Sequence, residues 1–253
     1  MSTTNEPWGN TVEVEFEDNI AFVFFNRPDK KNCMSPALNR EMYATLHALE
    51  LDERCKVVVL TGRGEAWSAG MDLKEYFRET DNKGDAFKMH TRDESQAWQQ
   101  IKLRFHAKPT IAMANGWVFG GAFTALTSCD LAISSDDATY GLSEINWGII
   151  PGGGVTKAVA DVIGQRNALY YIMTGETFQG PKAAQMGLVN ESVPADQLKT
   201  RVVKLAKELM KKDPVVLRSA KEVFKRIGAM DWDTANDYIY AKSDGANLRS
   251  GGE

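Results

Sequence analysis

The stretch Asn115-Gly116-Trp117-Val118-Phe119-Gly120-Gly121-Ala122-Phe123-Thr124 decides the reading of this chain. It places a glycine pair where a strand gives way to an apolar helix. A backbone N–H at such a helix start meets the positive end of the helix dipole, so Gly121 N–H is placed to face developing negative charge. The plainer alternative is tight helix packing that only glycine permits. A second turn, Ala69-Gly70-Met71-Asp72, has the same logic and offers the Met71 N–H. Two such donors aimed at one oxygen form an oxyanion hole. Downstream, Gly141-Leu142-Ser143-Glu144-Ile145-Asn146-Trp147-Gly148 supplies Glu144, the only acid or base of these segments placed to move protons beside that hole. Its neighbours Leu142, Ile145 and Trp147 predict a partly desolvated carboxylate with a raised pKa, suited to proton transfer. The competing reading is a surface glutamate on a turn.

Outward from these turns, segments 11–16 and 20–25 alternate or run apolar and predict two strands, with Glu17-Asp18-Asn19 as a hairpin turn. Ser35-Pro36 predicts a helix start, with Ser at the N-cap and Pro at the first position, and Leu38, Met42, Leu46 and Leu49 form its apolar face. Segments 56–61, 110–114 and 130–134 predict buried strands of a parallel sheet. Strands alternating with helices argue for an α/β fold built from βαβ units. From residue 195 the pattern turns helical, over 195–212, 214–227 and 232–242, and 245–253 reads as a loose tail. The many lysines of 195–227 read as a solvated face. The organisation is thus a core over 1–194 and a helical region over 195–253.

Composition excludes much. At 253 residues the chain can bury a large core without staples. Its 3 cysteines match neither a zinc spacing nor a disulfide framework, which predicts a reducing, cytoplasmic setting. Its 3 histidines lie far apart, so no metal site is expected. A net charge of −4 disfavours nucleic acid. No apolar run approaches the ~18 residues of a membrane span, and no targeting segment is evident. Gly62-Arg63-Gly64 lacks the third glycine of a dinucleotide fingerprint, Pro151 to Lys157 has the wrong spacing for a P-loop, and no Gly-x-Ser-x-Gly elbow occurs. The basic loop Arg27-Pro28-Asp29-Lys30-Lys31-Asn32 is open to two readings, solubility or contact with a phosphate-bearing ligand.

The Asn-Arg-Pro loop at 26–28, the Ala-Gly-Met-Asp turn, Gly120-Gly121 and Ser143-Glu144-Ile145-Asn146 together resemble the crotonase (enoyl-CoA hydratase/isomerase) superfamily, in the family's order and over about residues 10 to 240. The resemblance implies a ββα-spiral core, a C-terminal helical trimerisation region, and homotrimers or dimers of trimers. It implies an acyl-CoA substrate whose thioester oxygen lies between the Met71 and Gly121 N–H groups, with coenzyme A as part of the substrate and no other cofactor. It places Arg27, Lys30, Lys31, Ala69, Asp72 and Leu73 around the coenzyme A. Hydratases with two catalytic carboxylates carry a glutamate where this chain has Thr124.

A narrower resemblance, to the hydroxycinnamoyl-CoA hydratase-lyase (feruloyl-CoA hydratase/lyase) family, runs through 70–79, 141–149, Tyr170 to Gly175 and Asp237 to Lys242. It implies hydration of a 4-hydroxycinnamoyl-CoA followed by retro-aldol cleavage to a hydroxybenzaldehyde and acetyl-CoA. That family has Ser at the position of Thr124 and a third glycine at that of Ala122. Tyr76, and Tyr240 from a neighbouring subunit, would hydrogen-bond the substrate's 4-hydroxyl, with Thr124, Gly120 and Trp147 also against the substrate. Ordinary packing is the alternative for both tyrosines. Other crotonase-type hydratases or isomerases, and a non-catalytic CoA-binding protein, remain as competing readings.

Overall fold

The computed structural model describes residues 8–250. In chain order the elements are β1 (Val12–Glu17), β2 (Ile20–Phe25), α1 (Pro36–Leu51), β3 (Val57–Gly62), β4 (Ala66–Ser68), α2 (Glu79–Asp81), α3 (Asp85–Gln96), β5 (Thr110–Ala114), β6 (Trp117–Phe119), α4 (Ala122–Ser128), β7 (Leu131–Ser135), β8 (Thr139–Gly141), α5 (Val155–Thr174), β9 (Thr177–Gln179), α6 (Gly180–Gln185), β10 (Glu191–Val193), α7 (Leu198–Met210), α8 (Pro214–Ile227) and α9 (Trp232–Ser250). Two π-helical segments, Leu73–Arg78 and Ala97–Leu103, flank α2 and α3.

The strands form a six-stranded sheet, β1-β2-β3-β5-β7-β10, and a four-stranded sheet, β4-β6-β8-β9. β1 and β2 are antiparallel, joined by a turn with Asp18 and Asn19 at positive φ; β8 and β9 are also antiparallel, and every other pairing is parallel. Consecutive strands alternate between the sheets. β3 enters the large sheet and β4 the small one, then β5 and β6, then β7 and β8. The chain therefore advances as a spiral, and each turn of it adds one strand to both sheets.

Period-2 side-chain alternation divides the large sheet's apolar residues between two cores. Ala21, Val23, Phe25, Val58 and Leu60 face the core shared with the small sheet and α1. Ile20, Phe22, Val57 and Val59 face the other way, under Leu198, Val202 and Ala206 of α7. Each buried aliphatic or aromatic side chain of this kind is worth roughly 1.5–3 kcal/mol relative to exposure. α1 begins as its sequence dictates. The Ser35 side chain accepts from the Leu38 N–H, Pro36 opens the helix, and Leu38, Met42, Leu46 and Leu49 are buried.

Two expectations for the helical region are corrected. The segment from Gly245 is not a loose tail: α9 continues through it to Ser250, with Ala246 buried, and 251–253 lie outside the described residues. The lysines of α8 are not all solvated. Lys221 and Lys225 are 12% and 11% exposed and both pair with Asp130, while also donating to the carbonyls of Lys108, Arg104 and Ser128. The long apolar stems let the ammoniums reach inward to a charge that period counting cannot see. No helix among the described residues is long and apolar enough to cross a membrane.

Candidate active site

Three adjacent parallel strands of the small sheet, β4, β6 and β8, all end at one place, and each sequence motif follows one of them. Ala69 to Asp72 follows β4, Gly120-Gly121 follows β6, and Ser143-Glu144 follows β8. Ligand sites in open parallel sheets gather at these carboxyl ends.

The first turn is zipped to the chain entering α1. Ala69 N–H donates to Lys31 O at 2.8 Å, Met34 N–H to Gly70 O at 2.7 Å, and Asp72 N–H to Met34 O at 3.0 Å. Ser68 Oγ accepts from Gly70 N–H and donates to Asn32 O. Gly70 has φ +87, and a Cβ there would lie 2.6 Å from Phe119 O and 3.1 Å from Gly121 N. The two turns are therefore in direct contact. Gly121 caps α4 at ordinary helical φ; its need is space, since a Cβ would meet Met71 Cγ at 2.9 Å. Among the described residues no acceptor takes up the N–H of Met71 or of Gly121, and both residues are half-buried.

Glu144 lies on a 3-10 turn, Ser143–Trp147. A Cβ on Gly120 would come within 3.0 Å of Glu144 Oε1, which sets the carboxylate beside the glycine pair. Its Oε2 is buried and has no hydrogen-bond partner. Burial raises its pKa above the usual carboxylate value, a backbone hydrogen bond acting the other way. Of the three neighbours expected to desolvate it, Leu142 is buried, while Ile145 and Trp147 are 42% and 74% exposed.

Thr124 is buried on α4, and its hydroxyl donates to Gly153 O at 3.3 Å. Gln100 Nε2 donates to the same carbonyl at 3.0 Å. The sequence offered no sign of Gln100, which lies on a π-helical segment with no clean period. Tyr76 is buried on the helical turn that follows Met71, and burial raises its pKa while the Ser95 side chain opposes the shift. Tyr240 is 69% exposed on α9.

The basic loop is divided. Lys30 is exposed. Lys31 pairs with Glu65 and lies over the Trp117 ring at 4.8 Å. Arg27 turns inward to Asp72 at 3.0 Å and Glu75 at 2.6 Å. Asp72 is buried and also caps the following helical turn, accepting from the N–H groups of Lys74 and Glu75. Leu73 is 60% exposed. Among the described residues no group of histidine, cysteine and acidic side chains is arranged to hold a metal.

The spiral of paired strands is the crotonase fold. Its family model, enoyl-CoA hydratase/isomerase, matches residues 15–243. The chain is 58% identical over 98% of its length to hydroxycinnamoyl-CoA hydratase-lyase of Pseudomonas fluorescens, covering 90% of that protein. It is 30% identical to the short-chain-enoyl-CoA hydratase of Clostridium acetobutylicum, covering 89% of this chain and 85% of that one. The solved enoyl-CoA hydratase of Bacillus anthracis superposes with a TM-score of 0.85 at 27% identity, over 93% of this chain and 90% of that one. This chain belongs to the enoyl-CoA hydratase/isomerase family.

Proposed function

We propose that this protein hydrates 4-hydroxycinnamoyl-CoA thioesters (feruloyl-, p-coumaroyl- and caffeoyl-CoA) and cleaves the β-hydroxy product to a hydroxybenzaldehyde and acetyl-CoA. The observation that carries the reading is the buried, unpartnered Oε2 of Glu144 beside two open backbone N–H donors. The hydroxycinnamoyl-CoA hydratase-lyase relative supports the choice of substrate.

The thioester oxygen lies between the Met71 and Gly121 N–H groups, which stabilise it as an enolate. Ionised Glu144 takes a proton from water as the water oxygen bonds to Cβ, then gives that proton to Cα. Carboxylate again, it takes the proton of the new β-hydroxyl. The Cα–Cβ bond breaks, its electrons pass to the thioester enolate, and the aldehyde leaves. Glu144 returns the proton to Cα of the enolate, giving acetyl-CoA. Protons balance and no resident cofactor enters.

Tyr76 and a neighbouring subunit's copy of Tyr240 hydrogen-bond the 4-hydroxyl, drawing phenolate character that helps Cβ accept water. Thr124, Gly120 and Trp147 bound the acyl chain, and Lys30, Lys31, Ala69, Asp72 and Leu73 line the coenzyme A. The protein assembles as a homotrimer or a pair of trimers and works in the cytoplasm; the 78%, 86% and 86% exposure of Phe224, Trp232 and Leu248 on α8 and α9 supports burial of that face against another copy.

The test is purified protein with feruloyl-CoA, followed by liquid chromatography. Equimolar vanillin and acetyl-CoA are expected. A β-hydroxyacyl-CoA alone, or no conversion, would reject the lyase.

A further inference from the structure

Arg27 is misplaced for a phosphate contact. Its side chain is 12% exposed, and three acceptors already occupy its fork: Cys33 O at 2.9 Å, Asp72 Oδ2 at 3.0 Å and Glu75 Oε1 at 2.6 Å. The Asp72 carboxylate in turn accepts from four donors: Arg27, the Cys33 thiol at 3.1 Å, and the Lys74 and Glu75 N–H groups. Its own N–H donates to Met34 O, beside the strand-like bridge that pairs Met34 with Met71. Met71 is thus held between Gly70, bonded to Met34, and Asp72, bonded to Arg27. The Cys33 thiol stays protonated as a donor, because burial, then its hydrogen bond to Asp72 and the Asp72 charge, push its pKa up to about 12. In Asp72, burial works upward but the Glu75 N–H, Cys33 and Arg27 outweigh it, and the carboxyl lies below its usual range.

We propose that Arg27 is a positioning residue for the oxyanion hole: it locks Asp72 and Cys33 together and so fixes the direction of the Met71 N–H, instead of binding a phosphate of coenzyme A. The proposal rests on the Met71 role given above. A donor is worth most when its direction is set before reaction, and a displacement of about 1 Å can cost on the order of 10²-fold. Arg suits the task because its planar fork reaches several acceptors at once; a lysine ammonium does not.

The experiment compares the parent, Arg27→Met and Arg27→Lys on two thioesters, feruloyl-CoA and feruloyl-pantetheine, which lacks the nucleotide and its phosphates. The expected result is a fall in kcat of about 10- to 100-fold with Arg27→Met, equal on both thioesters, with KM near the parent's and partial recovery in Arg27→Lys. A loss confined to feruloyl-CoA and expressed in KM would make Arg27 a phosphate ligand and overturn the proposal; an unchanged kcat on both would also overturn it. If Arg27→Met does not fold, Asp72→Asn, which keeps the helix cap and weakens the ion pair, takes its place. Amide hydrogen exchange of the ligand-free proteins separates the two readings. Faster exchange at Asp72, Lys74 and Glu75, with Phe123 and Thr124 unchanged, is expected whatever the acyl substrate proves to be, and equal exchange in parent and variant would overturn the proposal. Failure of the parent to turn over either thioester would instead count against the proposed function.

Discussion

Met71 and Gly121 sit in turns bonded on their flanks to neighbouring chain, whereas Glu144 rides on a 3-10 turn followed by residues that face outward, Trp147 at 74% and Ile150 at 81% exposed. The contrast follows from the chemistry each side is asked to do. Stabilising an oxyanion needs dipoles that do not reorganise. Moving protons among water, Cα and a β-hydroxyl needs one carboxylate that reaches several positions, and Glu144 Oε2 is held by no partner. The donor side is a frame and the acid side is a reach.

Glu144→Gln should break the acid side and leave the frame intact. Loss of a positioned general acid or base costs typically ~10²–10⁴-fold, and both hydration and cleavage should fall together; vanillin release near the parent's rate would remove Glu144 from its role. The same variant has a stability signature. The folded pKa of Glu144 is raised, so its contribution is present below the ordinary value of 4.5 and is lost as pH rises through the folded value. Glu144→Gln should therefore melt above the parent at pH 7, with the gap closing on acidification. A constant gap across that range would argue against a desolvated carboxylate.

Gly121→Pro attacks the frame, since it deletes one donor, and should cost roughly 10²–10³ in kcat. The φ of −52 at this position suits proline. Gly121→Ala is the control: it keeps the N–H and adds the same Cβ against Met71 Cγ. Equal losses in the two variants would assign the effect to crowding and not to the hydrogen bond.

Thr124→Val probes the seam between the two sides and should have the smallest effect. The lost hydrogen bond to Gly153 O is worth ~0.5–1.5 kcal/mol, or about 2- to 10-fold in kcat. Thr124→Ser should restore it. A collapse as large as that of Glu144→Gln would mean that the hydroxyl takes part in the chemistry directly.

The regular parts of the fold were legible because local rules and tertiary demands coincide there. β2 and β5 are apolar runs buried on both faces of the large sheet, and α1 has Ser, Pro and a 3.6-residue apolar row in agreement. The glycine turns and Glu144 could be picked out because each breaks the pattern of its strand end. The region 73–105 was illegible: two π-helical segments, one before α2 and one after α3, shift the apolar period, so no single template fits. Arg27 shows a different limit. Its loop looks basic in sequence, and only the fold brings Asp72 and Glu75 to meet it. Asp72 also caps the turn that follows it, and the arginine that pairs with it lies 45 residues upstream.

Gly120 and Gly121 stand side by side yet answer to separate masters in the course of sequence drift. At Gly121 a larger residue collides with Met71, a neighbour that a compensating change could shrink. At Gly120 the backbone has φ +51 and the added atom would press on Glu144 Oε1, the group the chemistry can least do without. A lineage can trade its way past the first obstacle by altering a second position. Past the second there is no partner to trade with, so Gly120 should be the slower of the two to change wherever descendants of this chain keep the reaction.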